Sequence, residues 1–214
     1  MKVLKYLRLG NARFVSHIDV LRQAARILRR AEIPVKYSQG FNPHALVFFS
    51  PPCSVGVGSL AEYVAIDTDM PAEEVMERYN AAVGADMRAV KSFDVAGNPN
   101  LAGRIVAADY LFPCPTGSYA AEKGLRIEFS KKGETVCEDA TERIFGVSEK
   151  DGLTVLTLAA GNVTLRADRV FDAFRREGLC TGALPDTLKL AQYVRAENGV
   201  LRDVDDYLSS FPTV

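Results

Sequence analysis

Two histidines are all the chain carries, and both fall within residues 13–58, where the residue types best suited to chemistry gather. His17 stands in Arg13-Phe14-Val15-Ser16-His17-Ile18-Asp19, and His44 ends Ser38-Gln39-Gly40-Phe41-Asn42-Pro43-His44. An imidazole changes charge near neutral pH and can serve as general acid or base. His17 and His44 are therefore the candidate catalytic pair, a base and an acid for cleaving or modifying RNA. The plainer alternative is that each is a satisfied structural side chain. The loop between them suits recognition. Gln39 and Asn42 each donate and accept hydrogen bonds. Gly40 permits positive φ or a close backbone approach, and Pro43 biases Asn42 toward extended geometry. Phe41 could stack on a base or plug a core.

Charge points to the same stretch. Residues 1–50 hold nine basic side chains against two acids, a local charge of +7, although the whole chain carries −1. Arg22, Arg26 and Arg29 or Arg30 recur at helical spacing and could contact a phosphate backbone. The alternative is a solvated helix face. The expected ligand- or RNA-binding set is thus Arg13, His17, Arg22, Arg26, Ser38, Gln39, Gly40, Phe41, Asn42 and His44. His17, Asp19, His44 and Cys53 would offer mixed ligands suited to zinc if the loop folded over the helix start. Their spacing matches no zinc pattern, and neither metal nor other cofactor is expected. P-loop, G-x-S-x-G, H-E-x-x-H and G-x-G-x-x-G motifs are absent.

These residues need elements to position them. Residues 2–9 alternate as a strand. Ser16 is a good helix N-cap, with Asp19 three positions later. Ile18, Leu21, Ala25 and Leu28 recur at helical spacing and predict one buried face, up to a helix end near Ala31. Residues 46–50 and 61–68 read as strands, a helix starts at Pro71, and residues 87–95 form a last strand. Gly56 and Gly58 predict an irregular or bulged entry to the second of these. The order β-α-β-β-α-β predicts a ferredoxin-like domain over residues 1–96. A linker at 97–100 leads to a strand-rich α+β domain over 103–214. Strands are expected there at 105–112, 125–130, 141–147, 153–159 and 188–194, and a helix at 167–177 buries Val170, Phe171 and Phe174. The fold class is α+β.

At 214 residues, 48% hydrophobic and 25% charged, the composition is that of a globular protein. No apolar run approaches the roughly 20 residues of a membrane span, and the N-terminus lacks a signal-type segment, so a cytoplasmic location and no membrane partner are expected. Cys53, Cys114, Cys137 and Cys180 form no C-x-x-C pair and are expected to be free, mostly buried thiols.

Phe14-Val15-Ser16-His17-Ile18-Asp19, Tyr37-Ser38-Gln39-Gly40-Phe41-Asn42-Pro43-His44, Phe49-Ser50-Pro51-Pro52 and Val55-Gly56-Val57-Gly58 together resemble the signature of the radical-SAM-linked protein family. The resemblance is close through residues 1–95 and weaker through 104–195, as at Lys131-Lys132-Gly133-Glu134. It implies an accessory role with a B12-binding-type radical SAM protein, to which family members are fused or beside which they are encoded. This chain lacks the C-x-x-x-C-x-x-C motif and so cannot hold that enzyme's cluster itself. The expected domain, with a histidine at the start of its first helix, is also similar in fold to the repeat-processing endoribonucleases of CRISPR systems, a likeness that transfers no function. The leading expectation is a non-catalytic accessory module that binds RNA, such as a tRNA, or the partner enzyme. The alternatives are an RNA-processing enzyme using His17 and His44, and a purely protein-binding module.

Overall fold

A computed structural model describes residues 1–116, 124–180 and 182–212. The first part runs β1 (Lys2–Arg8), α1 (His17–Arg30), β2 (Val47–Phe49), β3 (Gly58–Ile66), α2 (Ala72–Ala82) and β4 (Ala89–Asp94). Its strands lie in the order β4-β1-β3-β2, each antiparallel to its neighbour. Then follow α3 (Leu101–Arg104), β5 (Ile105–Phe112), β6 (Arg126–Lys131), β7 (Glu134–Asp139), β8 (Ile144–Lys150), β9 (Leu153–Ala159), α4 (Ala167–Arg176), β10 (Leu188–Arg195), β11 (Leu201–Asp203) and α5 (Val204–Ser209). The architecture is α+β.

One sheet runs through both parts. Its order is β4-β1-β3-β10-β5-β9-β8, with β2 added beside β3 and β11 beside β10. The join is β10, which pairs in parallel with β3 at Leu188–Gly58 and Lys189–Ser59. Hairpin β6–β7 forms a separate two-stranded sheet.

Three clusters of apolar side chains fill the layers. The inner faces of α1 and α2 pack on Leu4, Tyr6, Val64 and Ile66. Helix α4 and Ile127 of β6 pack on Phe112, Leu156 and Leu158, with Phe112 edge-on to Phe174 at 5.6 Å. The other side of the first strands is covered by α5, whose Val204 and Leu208 join Val3, Ala61 and Tyr63. Each fully buried side chain of this size contributes about 1.5–3 kcal/mol. Gly178 ends α4 with φ +70°, and the Leu179 amide donates back to the Phe174 carbonyl at 3.0 Å, the glycine-dependent helix stop.

Four expectations need correction. The strand expected at 141–147 is a 3-10 turn over Thr141–Arg143 followed by β8 (Ile144–Lys150). Helix α1 buries Val20, Ile27 and Leu28, while Ile18, Leu21 and Ala25 face solvent. Both sets fit a helical period and share Leu28. The sheet contact selects the stripe holding Val20, Ala24 and Ile27, which periodicity alone could not decide. Strand β3 starts at Gly58, three residues before the expected start, because β10 supplies it with a parallel partner there. The irregularity expected at Gly56 and Gly58 lies instead beyond them, as a register shift between Ser59 and Glu62 opposite Arg8 and Tyr6.

Candidate functional site

The start of α1 is built from the chain before it. Ser16 caps the helix: its Oγ accepts from the Asp19 amide at 3.2 Å and donates to the Asp19 carboxylate at 2.7 Å. Arg22 adds an ion pair to Asp19 at 3.2 Å, and these bonds hold the Asp19 carboxyl below its usual pKa. Ahead of the cap, Arg8 is wholly buried and points its guanidinium into the turn. It donates to the carbonyls of Ala12 at 3.1 Å, Cys53 at 3.1 Å and Arg13 at 3.2 Å, and also to Val15. A planar five-donor fork is the side chain suited to gathering several carbonyls at once. Arg13 is likewise committed, to the carbonyls of Gly10 at 2.8 Å and Pro185.

The second half of the signature stretch is a socket for β10. Ser50 Oγ accepts from the Tyr63 amide at 3.1 Å and from Gln192 Nε2 at 3.2 Å. The Pro51 carbonyl accepts from Lys189 at 3.4 Å. The Gly58 amide donates to the Thr187 carbonyl at 3.0 Å. A Cβ on Gly56, where φ is +91°, would meet Leu184 at 3.2 Å, so glycine serves both the conformation and the close approach. At the centre Lys189 meets Glu62 at 2.7 Å, both almost fully buried, and Ser59 Oγ donates to the same Glu62 oxygen at 2.7 Å. Burial alone would depress the Lys189 ammonium; the Glu62 carboxylate more than reverses this and holds it above its ordinary pKa. Cys53 lies against this pair, and burial pushes its thiol up to about 12, an inert state.

His17 sits half-buried beside this seam, its ring edge-on to Phe49 at 6.1 Å. Burial lowers its pKa, Glu62 pulls the other way, and Arg8 lowers it further, so the ring is neutral at pH 7. His44 is exposed, and its partner is Ser38: Oγ and Nδ1 are 2.8 Å apart, and the Ser38 Oγ also accepts the His44 amide at 3.1 Å. Each histidine thus has its own neighbour, and no contact joins the two. Among the described residues no group of three or more His, Cys, Asp or Glu side chains is placed to hold an ion.

The loop 38–44 is the tip of a hairpin closed by a bridge between Tyr37 and Ala45 and by the Ser38 amide on the His44 carbonyl at 2.9 Å. Gly40 turns it with φ +127°, and Phe41 beside it is fully exposed. Gln39 and Asn42 also face solvent. Helix α1 runs alongside this hairpin and β2. His17 meets Phe49 at one end, and at the other Ala25 and Arg29 share an open groove of about 580 Å³ with Tyr37 and Ala45. Ile18 and Leu21 continue the same stripe toward the N-terminus and are 61% and 41% exposed; Phe14, at 56%, precedes them. Few of the cations here are available. Lys2, Lys5, Arg22 and Lys36 pair with carboxylates, and Arg8, Arg13 and Arg30 with backbone carbonyls. Arg26 and Arg29 make no such bond among the described residues.

The arrangement offers an apolar, aromatic surface beside the unpaired guanidinium of Arg29, with that of Arg26 on the other flank of α1. Sequence reading overlooked Ile18 and Leu21 as surface groups because their period matched a buried face. It also overlooked Glu62 and Lys189, although an acid in Leu60-Ala61-Glu62-Tyr63-Val64 and a lysine in Leu188-Lys189-Leu190 interrupt apolar runs and so signal a buried pair. Cys53, Cys114 and Cys180 are buried free thiols, and Cys137 is exposed. Among the described residues no helix is long and apolar enough to cross a membrane.

Residues 3–162 match the family described as an uncharacterized protein conserved in bacteria (DUF2344), and the chain belongs to that family. No curated protein matches the chain.

Proposed function

We propose that this member of the bacterial family is a non-catalytic accessory protein that docks on a radical SAM enzyme. The docking face is the outer stripe of α1 together with the 37–45 hairpin. The observation that carries this reading is the concentration of exposed apolar side chains there: Phe14, Ile18, Leu21, Tyr37 and Phe41 lie within 28 residues of chain. Aromatic and aliphatic anchors framed by arginine are the usual composition of a protein-binding hot spot. Arg26 and Arg29 suit an acidic rim on the partner. The signature residues that resemble the radical-SAM-linked family supply the identity of that partner.

The test is a titration of the chain against a B12-binding-type radical SAM protein from the same genome. Ile18→Asp and Phe41→Ser should each weaken binding at least about tenfold, as loss of an interface anchor does. Unchanged affinity in both variants contradicts the docking face.

RNA binding is the second reading, favoured by the free Arg29 beside the exposed ring of Tyr37 and by the free Arg26 on the other flank of α1. It predicts affinity that falls steeply with salt, with only about two phosphates' worth of slope from these arginines. The acid–base role for His17 and His44 needs the two rings on one substrate, and His17→Ala would then abolish turnover.

A further inference from the structure

A second concavity lies at the far end of β10. Val194 and Tyr207 line it, and three arginines from three elements rim it: Arg104 at the end of α3, Arg195 at the end of β10 and Arg202 in β11. Strand register explains the convergence. Val194 pairs with Arg202 on one side and with Ile105 on the other, and Arg104 directly precedes Ile105. The three backbones therefore fall within two strand spacings, roughly 10 Å. The opening measures about 700 Å³, within the range of small-molecule sites.

The charges here are held but not neutralised. Arg195 donates to the Gly199 carbonyl at 3.0 Å. Arg202 donates to the Asp206 carbonyl at 2.7 Å and to Ser210 Oγ at 2.8 Å. The Arg104 side chain makes no hydrogen bond among the described residues, and its guanidinium lies 6.0 Å from the Tyr207 ring centre. Among the described residues no carboxylate pairs with any of the three, and Glu197 is the only acid in the lining. This contrasts with the cations of residues 1–50, most of which have found partners. Like charges gathered without counter-ions repel one another, and a multiply charged anion relieves that repulsion. Guanidinium groups fit phosphate oxygens two at a time.

We propose that this groove binds a phosphate-bearing small molecule of nucleotide size, its phosphates held by Arg104, Arg195 and Arg202. The groove is separate from the α1 and hairpin face, so either assignment stands or fails alone.

Calorimetric titration of the full chain at low salt with pyrophosphate, adenosine diphosphate and adenosine tests this. Pyrophosphate and adenosine diphosphate should bind saturably, and adenosine should not. Arg104→Gln, which removes no hydrogen bond of the fold, should weaken both at least about tenfold with an unchanged circular dichroism spectrum, and Arg195→Gln should do the same. Arg26→Gln on α1 should leave both affinities alone. The proposal is overturned if neither phosphate probe binds saturably, or if binding ignores both groove variants. It is equally overturned if adenosine binds as tightly as its diphosphate, or if Arg26→Gln abolishes binding. A single-stranded oligoribonucleotide held by these arginines, with neither small probe bound, would replace the small ligand with RNA.

Discussion

The signature stretch divides into two regions with opposite fates. The 37–45 hairpin and the outer stripe of α1 keep Phe41, Tyr37 and Ile18 in solvent, while the adjoining residues 50–58, exposed Pro52 and Val55 apart, are taken up by the fold. In the second region four residues have internal partners: Ser50 with Gln192, Pro51 with Lys189, the Cys53 carbonyl with Arg8, and Gly58 with Thr187. Polar, glycine-rich sequence thus marks two different things here, a surface left open and a seam closed by a strand more than 120 residues away. A buried polar seam is satisfied by directed bonds and so fixes where β10 docks, whereas Gln39, Phe41 and Asn42 of the hairpin stay in solvent.

That contrast can be broken first at the seam. Glu62→Ala leaves the buried Lys189 charge uncompensated and should cost about 3–5 kcal/mol in urea denaturation, the usual penalty for breaking a buried pair. Replacing both residues by Leu and Met should recover most of the loss. A cost under about 1 kcal/mol for the single change would show that the pair does not anchor β10. Gly56→Ala should cost less, about 1–3 kcal/mol, since φ +91° strains any residue with a Cβ. On the open side, Phe41→Ser and Ile18→Asp should change stability by no more than about 0.5 kcal/mol, as surface substitutions do. A larger loss would mean that these side chains serve the core after all.

The smallest effect concerns His17, whose pKa is lower in the folded chain than the ordinary value of about 6.5, mainly through burial. The folded state then binds fewer protons than the unfolded state in mildly acid solution. Its contribution is complete above the unfolded value and is lost as the pH falls through the lowered folded value. His17→Gln should flatten that part of the stability profile, and an identical profile in the variant would assign the pH dependence elsewhere.

Much of the architecture was legible because the local signals agree with the tertiary ones. Ser16 both looks like and is a cap; Val170, Phe171 and Phe174 face the core from α4, and Gly178 stops that helix. The α1 face was not legible, because two stripes of apolar residues compete and only the sheet decides between them. Strand β11 and helix α5 are too short to leave a pattern above background. The +7 charge of residues 1–50 was visible, but its cancellation by Asp94, Asp205 and Asp69 depends on contacts that sequence distance hides. The groove of Arg104, Arg195 and Arg202 went unseen for the same reason, since strand register alone brings Arg104 to the others.

Amide hydrogen exchange on the chain, alone and mixed with the proposed radical SAM partner, tests the docking claim most directly. New protection should appear in residues 14–21 and 37–45, with the seam at 50–58 unchanged because it is already closed. Protection confined to other surfaces, such as the exposed edge of β8, with the hairpin exchanging as fast as before, would contradict it.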